Sequence, residues 1–479
     1  MPSRAKPPKG TGTDTTGVPA AGVLIKAENG DVVTYDETGL TLRLSDTVLA
    51  DLRTRLNTHM DAASWLGDID AWNLRSDGTW LRFDAQLDKR LSPRQYQRPV
   101  VGGDIIASTP GPLYALFSLG GPRRAGFTVA PPEFPFHVLA PGDHIGAVGL
   151  EGTAQVSRTD QLQHVPTETR DTLIANTLLH WRQAANRGLP LFLTRTETDS
   201  SADIAALATG QAYANFVTAL DNLIDISAAL GKPPKVLSVG LDFSLEDQNS
   251  DAAAYAEGMR SLMRNIERDM GRRELQRPIF LATFETGAEK LHEHPSILGQ
   301  WELAWSHGSH SFAFSAPGYM YDQSRFGRPT DDARLRMSEM DAHAIVALST
   351  REKWTCPLFL LAEQCGKQIK VTAEAMEGLL VDPSDPFKAG KTCGFSITGT
   401  DTEVKITSVT VSDDDDKTLV LECESAPSGP NPTLQYAYGG NNKNCGSVRD
   451  IWAMPSRGGG ADLHRWALPA ILPIRSGAL

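Results

Sequence analysis

The sequence predicts an α/β protein with a three-layer α/β/α domain over residues 111–354. A small α+β domain is expected before it, over 21–110, and a β-sandwich after it, over 355–479. The chain has 479 residues, enough for about three domains of ordinary size. Strand-like and helix-like segments alternate through the middle of the chain, and the hydrophobic period becomes two residues after Trp354. Alternating strands and helices favour a parallel sheet with helices on its faces.

The N-terminal part begins with a segment, 1–20, that is rich in Pro, Gly, Thr and Lys. Such a composition cannot bury enough apolar surface to fold alone, so we expect a flexible end or an arm that orders on a partner. Two apolar runs then flank the turn-forming stretch 28–31, which is a hairpin signature. Ser45 is a candidate N-cap for a short amphipathic helix. The apolar residues of these strands and this helix are Val23, Leu24, Ile25, Val32, Val33, Tyr35, Val48, Leu49, Leu52 and Leu56.

The middle domain is predicted from three amphipathic helices that lie between buried-strand patterns. Each helix carries an apolar stripe at the 3.6-residue spacing, and the helices are predicted to stop at Gly188, Gly231 and Gly271. Ser250 or Asp251 is the predicted cap of the third helix. The predicted strands cover 113–119, 189–193, 236–239 and 279–284.

The C-terminal region is predicted to consist of short strands joined by turn-forming residues. The acidic run 413–416 fits a solvated hairpin turn better than a calcium loop, because its acids lack the ligand spacing of such loops. All five cysteines lie in this region, and without a CxxC pattern they give little support to a zinc site. The predicted strands cover 368–372, 393–397, 404–411, 418–424 and 434–438.

Composition and charge narrow the classes of function. A net charge of −12 argues against a nucleic-acid partner, because phosphate binding needs a basic surface. No apolar run approaches the roughly 20 residues of a membrane-spanning helix, and the N-terminus lacks the apolar core of a signal peptide. We therefore expect synthesis in the cytoplasm and no membrane insertion. Because no P-loop, dinucleotide fingerprint or Gly-x-Ser-x-Gly elbow occurs, we predict no cofactor, and no metal is predicted either.

Two blocks of the middle domain carry a family resemblance. Strand 113–119 is followed by Gly120-Gly121-Pro122, and a later block has the sequence Asp331-Asp332-Ala333-Arg334. Their order resembles the SGNH (GDSL-type) hydrolase superfamily, in particular the sialate O-acetylesterase-like enzymes and their phage-borne relatives. In that family a serine nucleophile follows the strand, and an Asp-x-x-His block supplies acid and base. Pro122 falls at the serine position and Arg334 at the histidine position, whereas Asp331 is retained.

These departures bear directly on catalysis. Proline has no hydroxyl and cannot attack an acyl carbon, and arginine cannot act as a base near neutral pH. No serine lies between Leu119 and Thr128, so a small shift of the alignment does not restore the nucleophile. The block 239–242 also lacks the family's Gly-Glu or Gly-Asn pair, whereas the C-terminal segment 436–469 resembles the family's closing segment. The resemblance, which covers about half the chain, implies a degenerate esterase that has lost its catalytic serine and histidine.

A ligand site is expected at one edge of the predicted sheet, because the loops at the carboxyl ends of parallel strands gather there. Arg123 and its neighbour Arg124 fit either the acidic groups of a glycan or an internal salt bridge. Asp199 fits a ligand loop or a helix cap. The two C-terminal tryptophans fit a sugar-stacking surface or ordinary packing, and packing is favoured. The candidate ligand-binding residues are Arg123, Arg195, Asp199, Ser200, Asp242, Arg334, Trp452 and Trp466.

The resemblance implies a receptor-binding protein of a virion: a head spike or tail fibre of a phage or of a phage-like gene transfer agent. Arm 1–20 would join other virion structural proteins, and the degenerate domain would bind host surface polysaccharide; homo-oligomerisation is compatible with this arrangement. The alternative is an active carbohydrate O-acetylesterase acting on acetylated surface glycans, which a Ser–His pair in the cleft would favour. A purely structural decoration protein of the virion is a third option.

Overall fold

The computed structural model describes residues 22–27, 30–36, 39–42, 69–200, 203–247, 249–286, 295–324, 327–438 and 445–476. The chain divides into two compact units, residues 1–71 and 72–479. The predicted arm over 1–20 and the predicted helix after Ser45 lie outside the described residues. The predicted domain boundaries at 110/111 and 354/355 fall within the second unit and stay predictions.

The first unit contains an antiparallel sheet of strands β1 (Gly22–Ala27), β2 (Gly30–Asp36) and β3 (Gly39–Leu42). Strand β2 pairs with both of its neighbours, and β1 and β2 form the hairpin that the turn-forming residues predict. Val33 on the central strand is buried.

A four-stranded sheet follows in the chain. Its strands are β4 (Ala71–Ser76), β5 (Trp80–Ala85), β6 (Arg94–Pro99) and β7 (Ile106–Ala107), in that order. Phe83 on β5 and Tyr96 on β6 are both buried and stack at 6.1 Å between ring centroids. Cross-strand aromatic pairs of this kind stabilise antiparallel sheets.

A seven-stranded, mostly parallel sheet forms the centre of the second unit. The strands of this region are β8 (Leu113–Gly120), β9 (Phe127–Thr128), β10 (Val138–Pro141), β11 (Leu162–His164), β12 (Glu168–Thr169), β13 (Leu191–Thr198), β14 (Pro234–Gly240), β15 (Ile279–Phe284) and β16 (Phe312–Pro317). The sheet order is β11-β10-β13-β8-β14-β15-β16, and β9 pairs separately with β12. Only β11 runs antiparallel to its neighbour. The predicted mixed α/β fold is therefore confirmed.

Helices pack against both faces of this sheet. They are α1 (Arg170–Ala184), α2 (Ile204–Leu207), α3 (Gln211–Leu230), α4 (Ala252–Gly271), α5 (Pro295–Trp305) and α6 (Asp331–Ser349), with a 3₁₀ turn at Gly318–Met320. Leu116 on β8 shares a core with α1 and α6, whereas the next residue, Phe117, meets Phe216 of α3 at 6.1 Å. Adjacent residues of a strand point to opposite faces, which explains this division.

The predicted boundary signals are observed at the end of α3 and at the start of α4, but not at the end of α1. Gly231 caps α3 in the left-handed conformation with φ 62°, and Asp251 caps α4 through its side chain. Helix α1 instead ends at Ala184, earlier than the predicted stop at Gly188. Among the helices of the described ranges, none combines the length and apolarity needed to cross a membrane.

The C-terminal part is built of two sheets whose strands pair mostly antiparallel. Its strands are β17 (Leu358–Cys365), β18 (Gln368–Glu374), β19 (Leu379–Val381), β20 (Phe395–Thr398), β21 (Ile406–Val411), β22 (Thr418–Cys423), β23 (Thr433–Tyr436), β24 (Val448–Met454), β25 (Leu463–Trp466) and β26 (Ala470–Ser476). Seven of them form a sheet in the order β20-β23-β26-β17-β18-β22-β21, and β19-β24-β25 form another. Phe359 and Leu421 of the first sheet share one core with Val448 and Trp466 of the second.

Candidate functional site

Polar side chains gather where the central parallel strands end. Ser118 on β8 lies at the same level as Thr196 on β13 and Gly240 on β14, because these residues are paired in the parallel ladders. Asp242 lies two residues after the end of β14 and is 5% exposed. The carboxyl edge of an open parallel sheet is the usual position of a ligand site in this class of fold.

Arg124 is the centre of a buried hydrogen-bond network at this edge. Its Nε donates to Ser118 Oγ at 3.0 Å, and its Nη1 and Nη2 donate to Asp242 and Asp171, each at 2.9 Å. Asp171, in the first turn of α1, also accepts hydrogen bonds from Ser118 Oγ at 2.9 Å and Thr196 Oγ1 at 2.7 Å. The Arg124 side chain is 1% exposed, so its charge depends on these partners.

A second arginine, Arg170, completes the network. It donates through Nε and Nη2 to both oxygens of Asp341, at 2.7 and 2.8 Å, and through Nη1 to Asp242 at 3.0 Å. The backbone N–H of Thr283 donates to the other oxygen of Asp242 at 2.6 Å. Burial opposes ionisation of Asp242, but Arg170 and Arg124 outweigh it and hold the pKa of this carboxyl below its ordinary value. Asp242 therefore remains ionised near neutral pH.

Glycine makes room for this network. A Cβ on Gly240 would overlap the guanidinium of Arg124 and the hydroxyl of Ser118, and a Cβ on Gly120 would overlap the backbone oxygen of Asp242. Neither glycine has a positive φ, so space and not backbone conformation requires them. The turn after β8 then closes with a hydrogen bond from Arg124 N to Gly121 O at 3.0 Å, which aims the arginine back under the sheet edge.

Two glutamates next to this network behave differently. Glu285 accepts hydrogen bonds from Ser244 N at 2.5 Å, Ser244 Oγ at 2.8 Å and Leu245 N at 3.1 Å. Burial, together with the charges of Glu246 and Asp242, raises the pKa of Glu285 to about 8. Burial also raises the pKa of Glu246, although Arg123 opposes this by pairing with it. The raised pKa favours the protonated form of Glu285 near neutral pH.

A cavity of about 30 Å³ lies between these groups. One ordered water needs roughly 10–15 Å³ of such space, so the cavity holds about two waters or one small chemical group. Leu245, Pro329 and Met337 give it an apolar wall. Four buried polar atoms of its lining have no hydrogen-bond partner among the described residues: Thr283 Oγ1, Thr286 Oγ1, Gln323 Oε1 and Arg334 Nε.

The structure brings three of the predicted ligand residues together. Arg123, Asp242 and Arg334 all line this cavity. Asp242 faces inward to the arginines of the network and not toward a ligand. Arg123 pairs with Glu246 and Arg124 with Asp171, so the internal salt-bridge interpretation of these two arginines is the one observed.

Arg334 and Pro122, the two positions singled out by the family resemblance, lie at or beside this cavity. Arg334 is in the first turn of α6, follows the N-cap Thr330, and is 6% exposed. Its Nη2 donates to Thr128 Oγ1 and to Asp331, which is itself mostly exposed. Pro122 is half-buried in the turn after β8. Among the described residues that line the cavity there is no serine, cysteine or histidine.

The predicted meeting of Arg195 with the other site residues is not observed. Arg195 is 1% exposed and pairs with Asp143 and Glu197, whereas its neighbour Thr196 reaches the arginine network. Alternation along β13 therefore turns Arg195 to the opposite face of the sheet. Asp199 lies against Gly152 and Gly210, and Ser200 is exposed beside it. Neither lines the cavity.

The two predicted tryptophans lie in aromatic clusters away from the cavity lining. Trp452 meets His343 at 5.2 Å and Trp354 at 5.3 Å between ring centroids. Trp466 meets Phe387 at 4.8 Å and is 4% exposed. These contacts match the packing interpretation of both side chains.

Several residues of this edge carry no signal in the sequence. Arg170 and Asp341 are 171 positions apart and form a bidentate pair, a contact that no local pattern predicts. Thr283, Thr286 and Glu285 follow from the end of β15, whose predicted bounds were correct, but their orientation requires the fold. Across the described ranges, no group of three or more His, Cys, Asp or Glu side chains is arranged to hold a metal ion.

Comparison with known proteins gives distant structural neighbours only. No family model and no curated protein matches this chain. A carbohydrate acetylesterase from Xanthomonas citri is similar with a TM-score of 0.49 and 13% identity, over 80% of this chain and 85% of that one. A protein from Arabidopsis thaliana has a TM-score of 0.35 and 12% identity, over 49% and 98%.

The N-terminal part of a bacterial S-layer protein has a TM-score of 0.18 and 17% identity, over 32% of this chain and 30% of that one. At these identities and TM-scores, none of the neighbours assigns an activity to this chain.

Proposed function

We propose that this protein is a non-catalytic carbohydrate-binding protein with an SGNH-like domain, which acts as the receptor-binding spike or fibre of a phage or phage-like particle such as a gene transfer agent. The observation that carries the proposal is the cavity at the carboxyl edge of the central sheet. It offers unpaired hydroxyl, amide and guanidinium atoms for hydrogen bonds, and Pro122 and Arg334 occupy the positions where the family resemblance expects a nucleophile and a base.

The charge balance of the cavity favours a neutral ligand group. Each arginine of its lining already has at least one carboxylate partner within ion-pair distance, so little positive charge is left for an acidic sugar. A hydroxyl or amide, by contrast, can satisfy donors and acceptors without adding buried charge. The pairs are Arg123–Glu246, Arg124–Asp171, Arg124–Asp242, Arg170–Asp242, Arg170–Asp341 and Arg334–Asp331.

The role on a particle is supported by the sequence alone. Segment 1–20 has the composition of an arm that orders on a partner, and the degenerate domain resembles phage-borne relatives of the esterases. A cavity for one small group gives weak binding, and repeated copies on a particle would raise the avidity. The protein would then contact other virion proteins through the arm and the host polysaccharide through the second unit.

Binding is tested on an array of neutral and acidic oligosaccharides. We expect retention of neutral glycans and, for Thr286→Val, a loss of about threefold to tenfold in affinity, which corresponds to one hydrogen bond of about 0.5–1.5 kcal/mol. Thr398→Val, an exposed position on β20, is the matched control and should bind as the parent does. Retention of acidic glycans only, or equal binding by both variants, would contradict the proposal.

Catalysis is tested with p-nitrophenyl acetate and an acetylated polysaccharide. We expect no hydrolysis above the buffer rate, because the cavity lining in the described residues lacks a nucleophile–base pair. Hydrolysis that a serine-directed fluorophosphonate abolishes would establish the alternative, an active O-acetylesterase.

The particle role is tested by deleting residues 1–20 and probing purified particles with an antibody to the second unit. We expect the truncated chain to fold and to be absent from particles. Normal incorporation would refute the attachment role of the arm.

A further inference from the structure

A second concave site lies at the opposite edge of the central sheet. It is a groove of about 380 Å³ between the ends of α1 and α6 and the beginnings of β8, β13 and β14. This volume falls in the range of about 300–1,000 Å³ that is common for small-molecule sites. The groove shares no lining residue with the cavity described above.

The floor and walls of this groove are apolar and aromatic. Leu178, Phe192 and Ile345 are buried beneath it. Tyr114 stacks on Phe192 at 5.8 Å between ring centroids. Trp181 forms another wall and packs against His343, with 4.5 Å between their ring centroids. The apolar part of a small ligand could therefore pack against aromatic side chains that are already in place.

The rim of the groove carries cationic side chains. Arg182, Arg187 and Lys235 line it, and within the described part of the chain none of them forms an ion pair, nor does any Asp or Glu line the groove. Arg182 donates from Nε to Gly188 O at 2.7 Å, and Lys235 Nζ lies 5.9 Å from the ring of Tyr114. The chain has a net charge of −12. Three such cations around one apolar groove therefore make this surface locally positive in an acidic protein.

We propose that this groove binds an amphipathic organic anion, whose apolar body lies on the floor and whose carboxylate, sulfonate or phosphate group meets the rim cations. A purely apolar ligand would leave the cations unused. A second copy of this chain, docked through the same surface by a twofold axis, would place cations against cations, because such an interface is self-complementary. Charge and shape together thus select a small molecule that is apolar at one end and anionic at the other.

The test uses two fluorescent probes that share an aromatic body, 1-anilinonaphthalene-8-sulfonate and the uncharged N-phenyl-1-naphthylamine. We expect saturable binding of the sulfonate at one site of the full chain. Arg187→Glu with Lys235→Glu should weaken the sulfonate at least tenfold and change the affinity of the neutral probe less than threefold. Lys370→Glu with Lys405→Glu, exposed cations on the C-terminal side, is the matched control and should leave both affinities unchanged.

A third variant separates the groove from other apolar surfaces. Val346→Trp fills the groove from its exposed wall, where Val346 is 44% exposed, and should abolish binding of both probes without lowering the melting temperature. The proposal is overturned if the sulfonate binds without saturation, if charge reversal at the rim leaves its affinity unchanged, or if Val346→Trp binds as the parent does. Because the glycan site is elsewhere, these outcomes are independent of the glycan array.

Discussion

Arginine lies at both edges of the central sheet, but its charge is used differently at each. At the carboxyl edge, Arg124 and Arg170 are buried and contact three aspartates at 2.7–3.0 Å. At the amino edge, Arg187 and Lys235 line an apolar groove without a carboxylate partner in the described residues. A buried charge must be compensated within the protein, whereas a rim charge can rely on solvent until a ligand arrives.

This difference determines which groups at each edge can recognise a ligand. The arginines at the carboxyl edge are already paired with carboxylates. Recognition there therefore depends on the few polar atoms without a partner among the described residues, which are three side-chain oxygens and the Nε of Arg334. The charges at the amino edge remain available for an anion. Substitutions at the two edges test this contrast.

Asp242→Asn should cause the largest loss of stability. It removes the charge that Arg124 and Arg170 share, and breaking a buried ion pair on one side costs about 3–5 kcal/mol. Asp225→Asn, which breaks the surface pair with Arg158, should cost less than about 1 kcal/mol. Urea denaturation measures both. Equal urea midpoints for the two variants would show that the buried and the exposed ion pair contribute equally to stability.

Gly240→Ala should destabilise the protein by about 1–3 kcal/mol, the usual cost of overpacking. The added methyl group would overlap the Arg124 guanidinium and force it away from its aspartates. Gly188→Ala is the control, because a Cβ there meets no atom within 4 Å. Thermal denaturation should show a lower melting temperature for the first variant only. A parent-like Gly240→Ala would mean that the network tolerates displacement.

Glu285→Gln should change the pH dependence of stability. The pKa of Glu285 is raised in the folded state from 4.5 to about 8, so the folded protein holds a proton that the unfolded chain releases. This contribution is fully present below about pH 4.5 and is lost as the pH rises toward 8, by up to about 1.4 kcal/mol per pH unit. The glutamine variant should therefore be more stable than the parent at pH 8 and lose this slope.

The control for this measurement is Glu403→Gln, which removes an exposed carboxyl and should leave the slope unchanged. Stability is compared at pH 5 and pH 8 for the three proteins. If the difference between Glu285→Gln and the parent is the same at both pH values, Glu285 does not hold a proton in the folded protein.

Arg187→Ala with Lys235→Ala should have the smallest effect. Surface substitutions away from specific contacts change stability by less than about 0.5 kcal/mol each, and neither cation has a carboxylate partner in the described residues. The melting temperature should equal that of the parent within this limit. A loss as large as that of Asp242→Asn would show that the rim cations hold the fold together.

The sequence predicted the elements of the fold better than the contacts of the site. Helix α3 and its end at Gly231 follow from an apolar stripe and a glycine, both of which are local signals. Strand β15 was predicted with its observed bounds, 279–284. Strands β19, β24 and β25 were not predicted, because they are short or partly exposed and lack a clear hydrophobic pattern. They are strands because they pair with one another in a sheet.

The site was predicted in part, for a reason that Arg195 illustrates. Arg195 was expected in the loop after a strand predicted to end at residue 193, but β13 continues to Thr198 and contains it. Which face of the sheet it reaches then depends on the register of the strand, where one residue changes the face. Arg170, Asp171 and Asp341 were not predicted as members of the site, because charged residues on helices are usually exposed. Only the fold brings them within hydrogen-bond distance.

Strand β26 has a consequence for how the chain is made. In the C-terminal sheet it lies between β23 and β17, pairing antiparallel with one and parallel with the other. Both neighbours precede it in the chain, so during synthesis the sheet exists as two separate parts until β26 leaves the ribosome. Each part then exposes an unpaired edge, which invites pairing with other chains. A chain whose synthesis stalls shortly before residue 470 would therefore keep both edges exposed, and chaperones and proteases would recognise it.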